Sequence, residues 1–245
     1  FSPQDEIQDG KFLNMGGTAV IVVAAGSGKR FGSEVPKQYL VLNGAPVIRH
    51  CVQAFNDHPG IDIVQPVIRM TDLDDLTAAL DGLVYAPAVE GGDERQDSVR
   101  NGLAALVEMQ PDHVLIHDGA RSMVSFGMLD RILAALETSS AVIPAIPVVD
   151  TLKRTDSDGT VIDTVNRENL WRAQTPQLFP LLSLRDALRQ CIEEGVSVTD
   201  EAMAMERAGQ PVHIVEGASS NIKVTVEADL VFADVFLKEA EDRRV

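Results

Sequence analysis

Seven consecutive apolar residues at 19–25 (AVIVVAA) predict a buried parallel strand, because a β-branched run with no polar alternation leaves neither face for solvent. A glycine-containing loop follows. Val47, Ile48, Cys51, Val52 and Phe55 then recur at helical spacing behind Pro46, a residue suited to the first position of a helix. Residues 61–68 predict a second strand and 73–80 a helix. Val99, Leu103, Leu106 and Val107 fit a helix beginning near Asp93, and residues 114–116 a third strand ending at His117-Asp118. Residues 128–136 predict a helix and 141–146 a strand. This alternation predicts an α/β fold, a doubly wound and mostly parallel sheet.

Residues 148–166 break the rhythm. Two β-like segments, 150–155 and 160–165, flank Asp156-Ser157-Asp158-Gly159, and an Asp-Gly pair in that setting predicts a hairpin. The insertion has little apolar sequence of its own. It reads either as a solvated excursion or as an arm gripping a second subunit, and the arm is the preferred reading. The chain closes with helices near 181–194 and 200–208 and strands at 212–216 and 222–225. In a final helix, Val226, Leu230, Ala233 and Leu237 share a face. Residues 1–17 are polar and mixed in charge, unlike a signal peptide, and read as a leader, disordered or derived from an expression vector, with Met15 as the natural start. Residues 18–245 form the expected domain.

The net charge of −16, from 21 basic and 37 acidic residues, makes nucleic acid a poor partner. An anionic small substrate then requires a local concentration of the scarce basic residues. No apolar run approaches the ~20 residues that span a bilayer, so no membrane helix is expected. Cys51 and Cys191 lack metal or redox spacing, and Cys51 falls on the apolar side of a helix as a buried thiol, which fits a reducing cytoplasm. The five histidines form no His-x-x-x-His pair, which argues against zinc.

The strongest local signal is AAGSGKRF, residues 24–31, directly after the first strand. Glycines there allow close backbone approach, and successive N–H groups can form an anion nest. The loop is not a Walker A motif, which would need glycine at Val23 and a hydroxyl residue at Arg30. It is a poor dinucleotide fingerprint, since Phe31 stands where the third glycine belongs. Taken alone, it also fits, less well, a tight turn without a ligand. Lys37 follows in PKQY, and two of the chain's six lysines lie in this short stretch. Three positive groups beside a glycine loop suit a triphosphate undergoing exchange at phosphorus.

AAGSGKRFG and PKQYL together resemble nucleotidyltransferases of the nucleotide-diphospho-sugar transferase fold. More narrowly, they resemble the 2-C-methyl-D-erythritol 4-phosphate cytidylyltransferases of the non-mevalonate isoprenoid pathway. The resemblance continues through EGGDERQDSVRNGL (90–103), LIHDGARS (115–122), DTLKRT (150–155), TVNRENLWRAQTPQLF (164–179), VTDEAMAMERAG (198–209) and GASSNIKVTVEADL (217–230). It covers most of positions 18–240, in family order. In that family the cytidylyltransferase can be one domain of a bifunctional fusion with a later pathway enzyme.

The resemblance implies that backbone around Ala24, Ala25, Gly26 and Gly28 holds the nucleotide, with Gly92, Asp93 and Ser98 reading the cytosine and ribose side. Arg30 and Lys37 would stabilise charge on the α-phosphate, and Arg167 and Lys223 would position the phosphate of methylerythritol phosphate. Arg121, Thr151, Thr175 and Thr199 would complete the acceptor pocket, and Asp118 would lie near magnesium. The family is homodimeric through an arm such as 148–166. It usually has Ala and Pro where this chain has Gly119 and Ser122, which bears on loop rigidity.

The chemistry is consistent with these residue types. A phosphate monoester, with a second pKa of about 6, is largely ionised at neutral pH and needs no general base. What the displacement needs is positioning, positive charge and a divalent cation. His117 at a strand end reads as structural, and Trp171 as packing at the base of the arm. Asp200 and Glu201 read as helix-capping acids. A cytidylyltransferase for another polyol phosphate, such as ribitol 5-phosphate, would share the triphosphate machinery and differ around Thr151, Arg167 and Thr175. A dehydrogenase lacks its third glycine, and a non-catalytic sensor would have little use for Arg30, Lys37 and Lys223 together.

Overall fold

The structure is a computed structural model, and it describes residues 16–26 and 35–242. The 19–25 run forms β1 (Thr18–Val23), whose alternate residues point to opposite sides of the sheet. Ala19 and Ile21 enter one core and Val20 and Val22 the other, all fully buried. This explains the absence of polar alternation in the sequence. A small ribbon, β2 (Val41–Leu42) with β3 (Ala45–Pro46), leads into α1 (Val47–Asp57), β4 (Ile63–Ile68), α2 (Leu73–Ala79) and β5 (Val89–Glu90). Then come α3 (Arg95–Ala105), β6 (His113–Asp118), α4 (Phe126–Ala134) and β7 (Val142–Pro147).

The arm is a hairpin, β8 (Leu152–Thr155) paired antiparallel with β9 (Val161–Val165). Its turn is organised by Asp156, whose Oδ1 accepts the Asp158 and Thr160 N–H groups, and by Gly159 at φ +84°, a conformation that favours glycine. After it come β10 (Trp171–Ala173), β11 (Gln177–Pro180), α5 (Leu181–Glu193), α6 (Glu201–Arg207), β12 (His213–Glu216) and α7 (Glu227–Asp242).

The main sheet has the order β10-β7-β11-β6-β1-β4-β5, with β12 also on β7. β1, β4, β5 and β6 are parallel to one another, as expected, while β10 and β11 run antiparallel to their neighbours. α1, α2 and α4 cover one face through Ile48, Phe55, Leu76 and Met128, and α3, α5 and α6 cover the other through Val99, Leu103, Leu184 and Met205. α7 packs Leu230, Ala233 and Leu237 against Leu42 and Val47.

Three expectations are corrected. The strand expected at 222–225 is an extended strap without a strand partner, and Val226 precedes α7 with an exposed side chain. β10 and β11 carry no clear period in the sequence. Trp171 does not pack at the base of the arm: β10 is an edge strand, all three of its residues are exposed, and the indole is 44% accessible.

Candidate active site

The carboxyl ends of β1, β5 and β6 meet at one edge of the sheet, where an open α/β fold places its ligand crevice. A cavity of about 820 Å³ lies there. Its walls are Ala24, Ala25 and Gly26 after β1, Gly91 to Ser98 from the β5–α3 turn, and Lys37 and Gln38. Asp118, Lys223, Thr225 and Arg69 also line it. Two loops are pressed together to make it. A Cβ on Gly91 would stand 2.2 Å from that of Ala25, so only glycine admits this approach. Ser98 Oγ accepts the Gly92 N–H at 3.1 Å, which turns the β5–α3 loop over the start of α3. Glu94 and Asp97 close that helix with a capping box. Gln38 is buried and donates to the Ala24 carbonyl at 2.7 Å, fixing the root of the glycine loop.

Four charges alternate across the floor. Arg95 donates through Nη1 to Glu201 Oε1 at 2.7 Å and through Nε to Asp118 Oδ1 at 2.9 Å, and Lys223 Nζ lies 2.8 Å from Asp118 Oδ2. Arg121 Nε is 3.9 Å from the same oxygen. Burial alone would raise the pKa of Asp118, but the Arg95 and Lys223 charges outweigh it and hold the carboxyl well below its usual range. For Glu201 burial dominates and raises the pKa, with Arg95 opposing. The two carboxylates in turn raise Arg95 against its own desolvation.

Beneath Asp118 lies a neutral relay. The Asp118 N–H donates to Thr175 Oγ1 at 3.1 Å, and that hydroxyl faces His117 Nδ1, also at 3.1 Å. Since Thr175 Oγ1 already accepts, its hydrogen points to Nδ1, and His117 Nε2–H donates to the Arg121 carbonyl at 3.0 Å. Burial pushes the His117 pKa down to about 4, in keeping with this neutral tautomer and with a structural role.

The strap carrying Lys223 is tied down along its length. Gln174 exchanges hydrogen bonds with Ala218, Asn221 donates to the Thr175 carbonyl, and Arg121 donates to the Asn221 carbonyl at 2.7 Å. Val224 N–H bonds Ala120 O, and Lys37 Nζ donates to Val224 O at 2.8 Å. The loop of Gly119 and Ser122 is held by these bonds and by Gly119 N–H to Val23 O at 2.9 Å, so the two departures leave it anchored.

Of the residues singled out in the sequence, Ala24, Ala25, Gly26, Gly92, Asp93, Ser98, Lys37, Asp118 and Lys223 line this one cavity. Gly28 and Arg30 lie outside the described residues, as do residues 1–15 of the leader. The acceptor set does not converge within one chain. Thr175 is buried under Asp118 and Arg121 behind it, both as supports of the floor. Thr151 and Arg167 are exposed on and beside the arm, where Arg167 Nη1 donates to the Val149 carbonyl. Thr199 is exposed, and its hydroxyl turns toward Met203 Sδ at 3.7 Å. Asp200 caps α6 as expected by accepting the Met203 N–H at 3.0 Å. Glu201 does not behave as a second capping acid, because it is fully buried on Arg95. Arg95 was not singled out from the sequence, where its one signal is a cation inside the EGGDERQDSVRNGL block of an acidic chain, and Glu201 had no such signal.

Among the described residues, no group of three or more His, Cys, Asp or Glu side chains could hold a metal by itself. The floor carboxylate that reaches the cavity is Asp118, with Glu201 behind Arg95. It fits magnesium, a hard cation that can take its other oxygens from water and a triphosphate. Both Asp118 oxygens already meet Arg95 and Lys223, so the ion would share them. No helix among the described residues is long and apolar enough to cross a membrane.

A family model described as 2-C-methyl-D-erythritol 4-phosphate cytidylyltransferase matches residues 18–239. A bifunctional enzyme IspD/IspF of Rhodospirillum rubrum is 47% identical over 231 residues, which cover 94% of this chain and 59% of that protein. The chain therefore spans well under two thirds of the length of such bifunctional relatives. The 2-C-methyl-D-erythritol 4-phosphate cytidylyltransferase of Syntrophus aciditrophicus is 40% identical, with 91% of this chain and 97% of that protein covered. Among solved structures, the 4-diphosphocytidyl-2C-methyl-D-erythritol synthase of Anaerococcus prevotii superposes with a TM-score of 0.79 at 30% identity, over 91% of this chain and 99% of the other.

Proposed function

The chain belongs to the 2-C-methyl-D-erythritol 4-phosphate cytidylyltransferase family, and on that premise we propose that it transfers CMP from CTP to 2-C-methyl-D-erythritol 4-phosphate, in the non-mevalonate isoprenoid pathway. The products are 4-diphosphocytidyl-2-C-methyl-D-erythritol and pyrophosphate. The observation that carries this reading is one cavity in which Ala24–Gly26, the Gly91–Ser98 turn, Lys37, Asp118 and Lys223 converge at the sheet's carboxyl edge.

An ionised oxygen of the acceptor's 4-phosphate forms the new bond to the α-phosphorus of CTP as the bond from that phosphorus to the β-phosphate bridging oxygen breaks. The electron pair leaves with pyrophosphate. No residue needs to remove a proton, which suits a cavity whose described lining residues include no activated nucleophile. The backbone of Ala24–Gly26 faces the phosphates, Gly92, Asp93 and Ser98 face the base and ribose, and Lys37 and Lys223 supply the positive charge. The family resemblance would add Arg30, outside the described residues, to these charges. Magnesium held at Asp118 would neutralise part of the triphosphate charge.

We further propose a homodimer joined through the 148–166 arm. Val149, Val161, Ile162 and Trp171 leave apolar surface exposed around the hairpin, and an isolated hairpin is marginal in water. An arm reaching a partner would bring Thr151 and Arg167 to a neighbouring acceptor pocket. Two buried free cysteines suit residence in the reducing cytoplasm. Pyrophosphate release, measured with CTP, methylerythritol phosphate and magnesium and with each omitted in turn, tests the reaction. Release that continues without the acceptor, or fails with all three present, would overturn it.

A further inference from the structure

We infer that Glu201 is a positioning residue for nucleotidyl transfer: from behind the cavity it holds Arg95 in the orientation that fixes Asp118. The inference rests on the proposed reaction and deepens it. Three observations carry it. Glu201 is fully buried and does not line the cavity. The capping of α6 is already supplied by Asp200, which accepts the Met203 N–H at 3.0 Å. The Glu201 carboxylate spends one oxygen on Arg95 Nη1 at 2.7 Å, while Oε2 has no hydrogen-bond partner. A buried carboxylate with one oxygen unsatisfied is costly, and it is compensated here only through its ion pair with Arg95.

From interior to cavity, the charges of Glu201, Arg95, Asp118 and Lys223 alternate, and Arg121 beside Asp118 leaves the cluster one positive charge in excess. An entering triphosphate attracts both cations. Lys223, more than a third exposed at the outer end, can exchange the Asp118 carboxylate for a phosphate. Arg95 is restrained by Glu201, so its Nε edge stays on Asp118. Without that restraint Arg95 would follow the phosphates, binding them more tightly while leaving Asp118 misplaced. Glu201 therefore trades ground-state affinity for geometry, as positioning directed at the transition state requires.

Two variants separate charge from reach. Glu201→Gln keeps the shape and removes the charge. CTP, titrated calorimetrically without acceptor, should bind about three- to tenfold more tightly, since the floor gains one net positive charge. The kcat should fall about tenfold or more, as for a modest misplacement. Glu201→Asp keeps the charge and shortens the tether, so kcat should fall similarly while the CTP Kd stays within twofold. If Glu201→Gln does not fold, Glu201→Asp carries the test alone. CTP binding that is unchanged or weaker in Glu201→Gln overturns the inference. So does a kcat within twofold of the parent in Glu201→Asp, or joint loss of kcat and affinity in that variant. A parent protein that releases no pyrophosphate overturns the proposed reaction instead, and the CTP titration then still judges Glu201.

Discussion

Replacing Thr175 by valine removes one oxygen at nearly constant volume and separates two roles that the sequence does not distinguish. The Thr175 hydroxyl accepts the Asp118 N–H and donates to His117 Nδ1, both at 3.1 Å, in a buried environment. Valine leaves both groups without a partner. Each orphaned buried polar group costs about 1–3 kcal/mol, so the pair should cost roughly 2–6 kcal/mol. For a domain of this size that corresponds to a fall in Tm of roughly 5–20 °C. The backbone of Asp118 would also lose its anchor, so kcat should drop about tenfold or more with little change in the KM for methylerythritol phosphate. Thr175→Ser should restore most of both quantities. Differential scanning fluorimetry and steady-state pyrophosphate release measure them. If Thr175→Val melts like the parent and raises only the acceptor KM, the hydroxyl touches the acceptor and its assignment as a buried support is wrong.

His117 titrates near 4 when folded against about 6.5 when free, so the unfolded chain takes up the proton first as pH falls. Its contribution is full above pH 6.5 and is lost between 6.5 and 4, about 3 kcal/mol in all; urea unfolding at pH 7 and 5 should show part of this loss, and a His117→Gln variant should lack it. Lys37→Ala should lower kcat by about 10²–10³-fold with much less effect on CTP binding, and an unchanged kcat removes Lys37 from the chemistry. Shortening the arm to a Gly-Ser turn should give a monomer by light scattering, with poor acceptor use and intact CTP titration; a parent protein that is monomeric yet fully active contradicts the arm's role. Arg167→Ala should raise the KM for methylerythritol phosphate and spare that for CTP.

How much could be read beforehand depended on how local each signal was. The 19–25 run, the 3.6-residue period of α1 and the Asp156–Gly159 turn each encode their structure within a dozen residues, and each forms as expected. β10 and β11 are three and four residues long, and β11 is buried by neighbours drawn from β6 and β7 rather than by any pattern of its own. The strap at 222–225 has β-like composition, but the Val224 N–H and C=O go to Ala120 and to Lys37, and the Thr225 N–H to Asp229, so no ladder forms. Propensity there yields to tertiary hydrogen bonds.

Two of the segments that line the cavity were legible for the same reason, since Ala24–Gly26 and the Gly91–Ser98 turn are each contiguous in sequence. The charge network was not. Glu201 and Arg95 are separated by 106 residues, and Asp118 and Thr175 by 57, so their pairing exists only once the sheet has brought the ends of β6, β11 and α6 to the root of α3. At the level of sequence an acid following Asp200 is indistinguishable from a second capping residue. Burial decides between them: Asp200 keeps its carboxylate on the α6 N-terminus, whereas the next side chain turns inward, where a carboxylate is tolerable only against a cation. The folded chain thereby converts an ordinary pair of helix-opening acids into two different devices. One fixes α6, and the other sets the angle of an arginine in the cavity floor.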